Sequence, residues 1–217
     1  MRATAGLLCI VAALAGGCGH ASTFGPTTEE LLGRLDSPDP DVRREAIAEL
    51  SEPRGGREGK FPELYATFTA DEDATVRSAA LRALGRCEAS EQMGAVTAAL
   101  DDEVPAVRRD AAVALDSVIA DEAVEPLSRA ALEDPSIGVR VAAVRALRHY
   151  RRPGVLATLM EALDDPEFSV RHQAGRSLAE LTGEDAGTDA RRWRRILAEK
   201  EDPFAPRPKE KPWWRLW

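Results

Sequence analysis

Apolar positions along this chain recur in one fixed frame. Val-Arg pairs stand at residues 42–43, 76–77, 107–108, 139–140 and 170–171, at intervals of 34, 31, 32 and 31 residues. Four residues after each Val comes an Ala (Ala46, Ala80, Ala111, Ala143, Ala174), and eight after it a Leu (Leu50, Leu84, Leu115, Leu147, Leu178). Offsets of four and eight share one stripe of an α-helix, so the frame predicts a helix with a single apolar face. An Ala in every copy, midway along that face, predicts that a neighbouring backbone approaches closely there. Seven residues before each Val stand Leu35, Thr69, Leu100, Leu132 and Leu163, which predict a preceding helix. Between the two helices lie the breaks "DSPDPD", "ADEDAT", "DDEVPA", "EDPSIG" and "DDPEFS". Asp and Ser favour helix starts, and Pro suits only a first turn, so each break ends one helix and launches the next. The unit is a helical hairpin that cannot bury its apolar face alone. Stacking five of them buries it.

The register D-P-x-x-x-V-R-x-x-A-x-x-A-L, written in full by "DPSIGVRVAAVRAL" at 134–147, resembles the HEAT repeat, in the short form known from phycobilisome lyases. The resemblance covers residues 28–182. It implies an all-α fold, a right-handed α-solenoid of about five HEAT-like helical hairpins whose second helices line a concave side. The first interval is longer because "SEPRGGREG", residues 51–59, inserts a Gly-rich loop, and the second unit is the least regular.

The two ends read differently from the repeats. Met1-Arg2 and the apolar run "AGLLCIVAALAGG" precede Cys18. That run is too short to cross a hydrocarbon core of about 30 Å and suits a signal-peptide core. Ala15, Gly16 and Gly17 stand directly before Cys18, which resembles the lipobox of bacterial lipoproteins; Ala15 stands where that family usually has Leu. The expectation is a signal peptide at 1–17, lipidation at Cys18, a linker at 18–27, and a chain anchored by lipid to the exported side of the cell envelope. At the other end, "TGEDAGTDARRWRRILAEK" predicts a turn and a terminal helix over 183–200, capped by Thr188 or Asp189. Trp193, Ile196 and Leu197 would form its apolar stripe, closing the exposed end of the stack. Residues 201–217 contain four prolines and no periodicity, so this Pro/Trp-rich tail is expected to be extended or disordered. Trp213, Trp214 and Trp217 beside Lys211 and Arg215 suit a membrane–water interface, a docking partner or a return onto the solenoid equally.

Composition narrows the function. A net charge of −8 argues against general nucleic-acid binding, which needs a basic surface. Cys9 would leave with the signal and Cys18 would carry lipid, so Cys87 has no intrachain disulfide partner. The three histidines, His20, His149 and His172, lack metal-ligand spacing, and neither His149 nor His172 is followed by Glu as in the iron-binding HEAT-like hydroxylases. Gly55-Gly56 lacks the Lys-Ser/Thr of a phosphate loop. No catalytic residue, metal site or cofactor is expected.

Charge placement is more telling. The breaks are acidic, and Arg43, Arg77, Arg108, Arg140 and Arg171 follow the Val in every copy. Arginine forks bind carboxylates at two points, so these five predict a structural ladder between units. A second row (Arg82, Arg145 and Arg176 six residues after the Val, Arg109 and His172 two after it) lies off the buried stripe. If second helices line the concave side, this row is a basic inner groove. The sequence thus points to a monomeric, non-enzymatic protein-interaction scaffold or adaptor whose partner is another protein with an acidic segment. The alternative is an enzyme or accessory subunit acting on a cell-envelope polymer.

Overall fold

The computed structural model describes residues 25–52, 61–88 and 90–205. Cys18, the signal and most of the linker, the greater part of the Gly-rich insert, and tail residues 206–217 with Trp213, Trp214 and Trp217 lie outside that range. Among the described residues there are eleven α-helices, several short 3-10 turns and no strand.

The helices pair into five hairpins: α1 (Thr28–Arg34) with α2 (Pro40–Leu50), α3 (Pro62–Thr67) with α4 (Ala74–Cys87), α5 (Met93–Ala98) with α6 (Pro105–Ser117), α7 (Val124–Glu133) with α8 (Ile137–Ala146), and α9 (Pro153–Ala162) with α10 (Phe168–Thr182). A final helix, α11 (Ala190–Glu199), closes the stack. Helices α3 and α5 have only six residues each and finish in 3-10 turns, Phe68–Ala70 and Ala99–Asp101.

The fold follows from the frame. Each Ala and Leu of the stripe, from Ala46 and Leu50 to Ala174 and Leu178, is fully buried, as are Val76, Val107, Val139 and Val170. Only Val42, in the terminal unit, stays half-exposed. Second helices pack in series, α2 on α4, α4 on α6, α6 on α8 and α8 on α10, and these are the main contacts between units. Small side chains permit that closeness: a methyl added at Gly85 would meet the Ala114 Cα at 3.1 Å. First helices, carrying Leu, Tyr and Met at their contacts, touch one another less, with α7 on α9 the main such pair. The HEAT-like resemblance implies that this closely packed side, formed by the second helices, is the inner face.

The C-terminal end is sealed by a turn rather than by apolar area alone. Asp189 caps α11 by accepting from the Arg192 amide. Trp193 is fully buried and donates from Nε1 to the Gly187 carbonyl at 2.9 Å. That same carbonyl lies against α10 where a Cβ on Gly175 would come within 2.2 Å of it, so only glycine fits. Lys200 ties the end back through the Thr182 carbonyl at 2.8 Å and Glu184 at 3.2 Å. Against the expectation of an extended or disordered tail, residues 201–205 fold back: Phe204 packs on the core and its carbonyl accepts from Arg151.

Two glycines therefore respond oppositely to one substitution. Gly175→Ala forces the 185–188 turn off α10 and should destabilise by about 1–3 kcal/mol. Gly33→Ala, in a helix with open space around it, should stabilise by about 0.5–1 kcal/mol. Thermal melting of the two variants checks the pair; equal shifts would mean that the closing turn is not where α10 demands it.

Candidate functional site

The five arginines behind the Val build a relay that runs the length of the stack. Arg77 donates from Nε and Nη2 to Asp102 at 2.8 and 2.9 Å, and from Nη1 to the carbonyls of Asp71 and Glu72. Arg108 repeats this with Asp134 at 2.6 and 3.0 Å and with the carbonyls of Asp102 and Glu103. Arg43 does so with Asp71, and Arg140 with Asp165. Each Asp thus binds the preceding unit's guanidinium by its side chain and its own unit's guanidinium by its carbonyl. Arg171, with no sixth break beyond it, keeps only the carbonyls of Asp165 and Pro166 and lies 5.8 Å from the Phe168 ring centre.

The relay aspartates are not the helix caps that the breaks suggested. Asp71, Asp102, Asp134 and Asp165 each stand two residues before the N-cap and accept that residue's amide at 2.7–2.9 Å. One carboxylate therefore shapes the turn and holds the neighbouring unit. Burial pushes the Asp102 and Asp134 carboxyls up, but the bidentate arginine, the turn amide and two nearby guanidinium charges more than offset it and hold both below the ordinary carboxylate value.

The row off the stripe lies on the exposed side of the second helices, but it is not a row of free charges. Arg82 pairs with Asp110 of the next unit, which is 4% exposed and also takes Arg109 at 2.9 Å. Arg145 reaches Asp116 at 2.6 Å, and Arg148 and His149 join the same carboxylate at 3.3 and 3.1 Å. Arg176 faces Glu180 at 3.8 Å, shared with Arg148 at 3.4 Å. His172 stacks on Phe168 with centres 5.7 Å apart. The structure therefore joins Arg82 to Arg109 and sets Arg145 and Arg176 on adjacent helices, while His172 belongs to a separate aromatic pair.

Sequence reasoning missed Asp110 and Asp116, the side chains that hold the row in place. The signal available was an acidic residue inside an otherwise basic second helix. Even with them counted, the inner faces of α4, α6, α8 and α10 and the turn after α8 carry Arg82, Arg86, Arg109, Arg145, Arg148 and Arg176 against Asp110, Asp116 and Glu180. The inner face keeps a positive balance in a chain of net charge −8. Among the described residues no cluster of His, Cys, Asp and Glu has the geometry of a metal site.

A family model described as HEAT repeats matches residues 28–116, 61–136 and 124–195, and the chain belongs to the HEAT-repeat family. The uncharacterized phycocyanin operon protein Z of Pseudanabaena tenuis is 29% identical over 168 residues, 74% of this chain and 81% of the relative. The complex of CpcE and CpcF of phycocyanin lyase from Nostoc resembles it with a TM-score of 0.64 at 20% identity, over 87% of this chain and 77% of that one. A designed armadillo repeat protein in complex with the peptide (KR)4 gives a TM-score of 0.60 at 18% identity, over 82% and 95% of the two chains. These structural likenesses establish the fold, a HEAT- and armadillo-like α-solenoid.

The relay sets a pH dependence. Asp102 and Asp134 have folded pKa values below their unfolded ones, so their contribution is present above about pH 4 and is lost as pH falls through the folded values. Asp134→Ala strands the Arg108 guanidinium in a buried site and should cost about 3–5 kcal/mol at pH 7. Urea unfolding at pH 7 and through the acid range reads both effects. Unchanged stability in Asp134→Ala would remove the relay as the link between units.

Proposed function

We propose that this protein is a non-enzymatic scaffold, tethered to the exported side of a membrane by lipid on Cys18, that holds a protein partner with an acidic segment on its concave face. The observation that carries the reading is the basic row on the second helices: Arg82, Arg109, Arg145 and Arg148, from three consecutive units, are held by the buried Asp110 and Asp116, and Arg176 of the last unit continues the row beside exposed Glu180. Side chains held in place before binding lose little entropy on binding, and a concave basic wall steers an acidic partner inward. The designed armadillo protein bound to (KR)4 offers a parallel in fold, with a basic peptide where this chain would take an acidic one.

The buried carboxylates decide which arginines can be tested. Removing Arg82 and Arg145 would leave Asp110 and Asp116 short of partners and damage the fold. Arg86, Arg109 and Arg176 can each become Gln while Asp110 keeps Arg82 and Asp116 keeps Arg145. With that triple variant melting normally, affinity for a partner recovered by crosslinking should fall about tenfold or more and lose part of its salt dependence. Equal affinity and an equal salt slope would move recognition off the concave face.

Tethering has its own test. Cys18→Ser should abolish labelling by a fatty-acid probe and release the chain from the membrane fraction. Retention with undiminished labelling would exclude lipidation at that position.

A further inference from the structure

The inner face is not uniform along its length. On α2, Arg44 stands between Asp41 and Glu45, at 3.2 and 3.5 Å, and the positive balance begins only at α4. At the other end, the first turns of α8 and α10 expose large apolar side chains. Ile137 is 42% and Phe168 64% exposed, the latter the most exposed large apolar residue described. Both open their helices at the same register, and one turn further on stand half-buried Val141 and exposed His172. Phe168 packs against the His172 ring, centres 5.7 Å apart, and the Arg171 guanidinium lies 5.8 Å from its ring centre. Arg109 borders it: its Cδ lies 3.7 Å from where a Cβ on Gly138 would stand.

An exposed apolar strip bordered by guanidinium groups suits a ligand with apolar and acidic parts in one segment. We infer that the last two units hold an apolar anchor site, built by Ile137, Val141, Phe168 and His172. It receives a large apolar side chain of an extended acidic peptide whose carboxylates run back along Arg109, Arg145 and Arg176 towards Arg82 and Arg86. Three steps of about 8–10 Å between second helices cover roughly 30 Å, which an extended chain at about 3.3 Å per residue spans with about nine residues. The arginines supply attraction without register; the anchor fixes direction, because it exists at one end only. This inference rests on the scaffold reading and adds the partner's chemistry and polarity.

The test uses the full chain and a fluorescein-labelled peptide of about ten residues, alternating Glu and Ser, ending in a Leu-Phe pair. Anisotropy compares it with a peptide in which Ser replaces that pair, on the parent and on the exposed-site variant Ile137→Ser with Phe168→Ser. The parent should prefer the Leu-Phe peptide by about tenfold, the worth of burying one large apolar side chain. The variant should melt normally, bind the Ser peptide as the parent does, and show no preference. Lack of preference in the parent, or a preference that survives in the variant, overturns the anchor. So does equal binding of duplex DNA of matched charge, which would make the face a general polyanion surface. Self-association of the parent that the variant abolishes also overturns it, since a second copy would then cover the strip. Loss of the recovered partner in the Arg86, Arg109 and Arg176 variant with no apolar preference sinks the anchor and keeps the scaffold. An unaffected partner sinks the scaffold itself.

Discussion

The stack depends on one bidentate ion pair repeated between units, the guanidinium after the Val on the second residue of the next break, an Asp in each case. A helical hairpin of this length has no core of its own, and apolar contact alone would let neighbouring units slide, because Ala and Leu surfaces are tolerant of small shifts. The arginine is not tolerant. Its fork must meet two carboxylate oxygens while its remaining nitrogen meets two carbonyls at the end of its own hairpin. The pair is desolvated, with Arg108 and Asp134 side chains 12% and 7% exposed. A buried pair gains little over an apolar contact of equal size, but it penalises misplacement heavily. Its product is register.

Register is what turns five similar helices into a functional surface. With the units locked, residues at one offset from the Val fall into line on the inner face, and residues at different offsets meet across the seams. Asp110 and Asp116 sit at such seams, three and nine residues after their Val, and reach arginines six residues after the Val in the units on either side. Each buried carboxylate restrains two or more long side chains that would otherwise sample many rotamers. The inner face is therefore ordered before any partner arrives, and its arginines are the less movable part of the site.

Much of this was legible in the sequence, for a physical reason. The Val, Ala and Leu stripe has helical period and the unit repeats, so helices, hairpins and stacking follow from local rules, and the arginine ladder follows from acidic breaks recurring at one distance. The seam aspartates were not legible. Each occurs once, at an offset no other unit shares, and its partner is fixed by how far one helix is displaced against the next. The break aspartates divide between two roles: Asp39 and Asp73 cap α2 and α4 as expected, whereas Asp71, Asp102, Asp134 and Asp165 stand two residues ahead of the N-cap, where a carboxylate serves the turn and frees its other oxygen for the neighbouring unit. The basic row was legible as positions but not as a network, and the terminal apolar strip only acquires meaning once α8 and α10 lie side by side.

The separation of charge within the molecule bears on what it will reject. The exposed carboxylates of Glu72 and Glu103 sit 4.0 Å from ladder arginines, at the rim formed by the breaks. An acidic rim beside a basic inner wall repels a polyanion that is stiff and broad, such as a nucleic-acid duplex, since its phosphates would have to cross the rim along with the wall. On the proposed reading, a single extended acidic chain enters between them. Attraction by the wall and repulsion by the rim then act together to select for narrowness as well as for charge, and like-charge contact costs a wrong partner more than a missing ion pair would. A net charge of −8 is thus compatible with the proposed recognition of acidic segments: the overall charge governs solubility and the long-range field, while along the arginine row the local balance has the opposite sign.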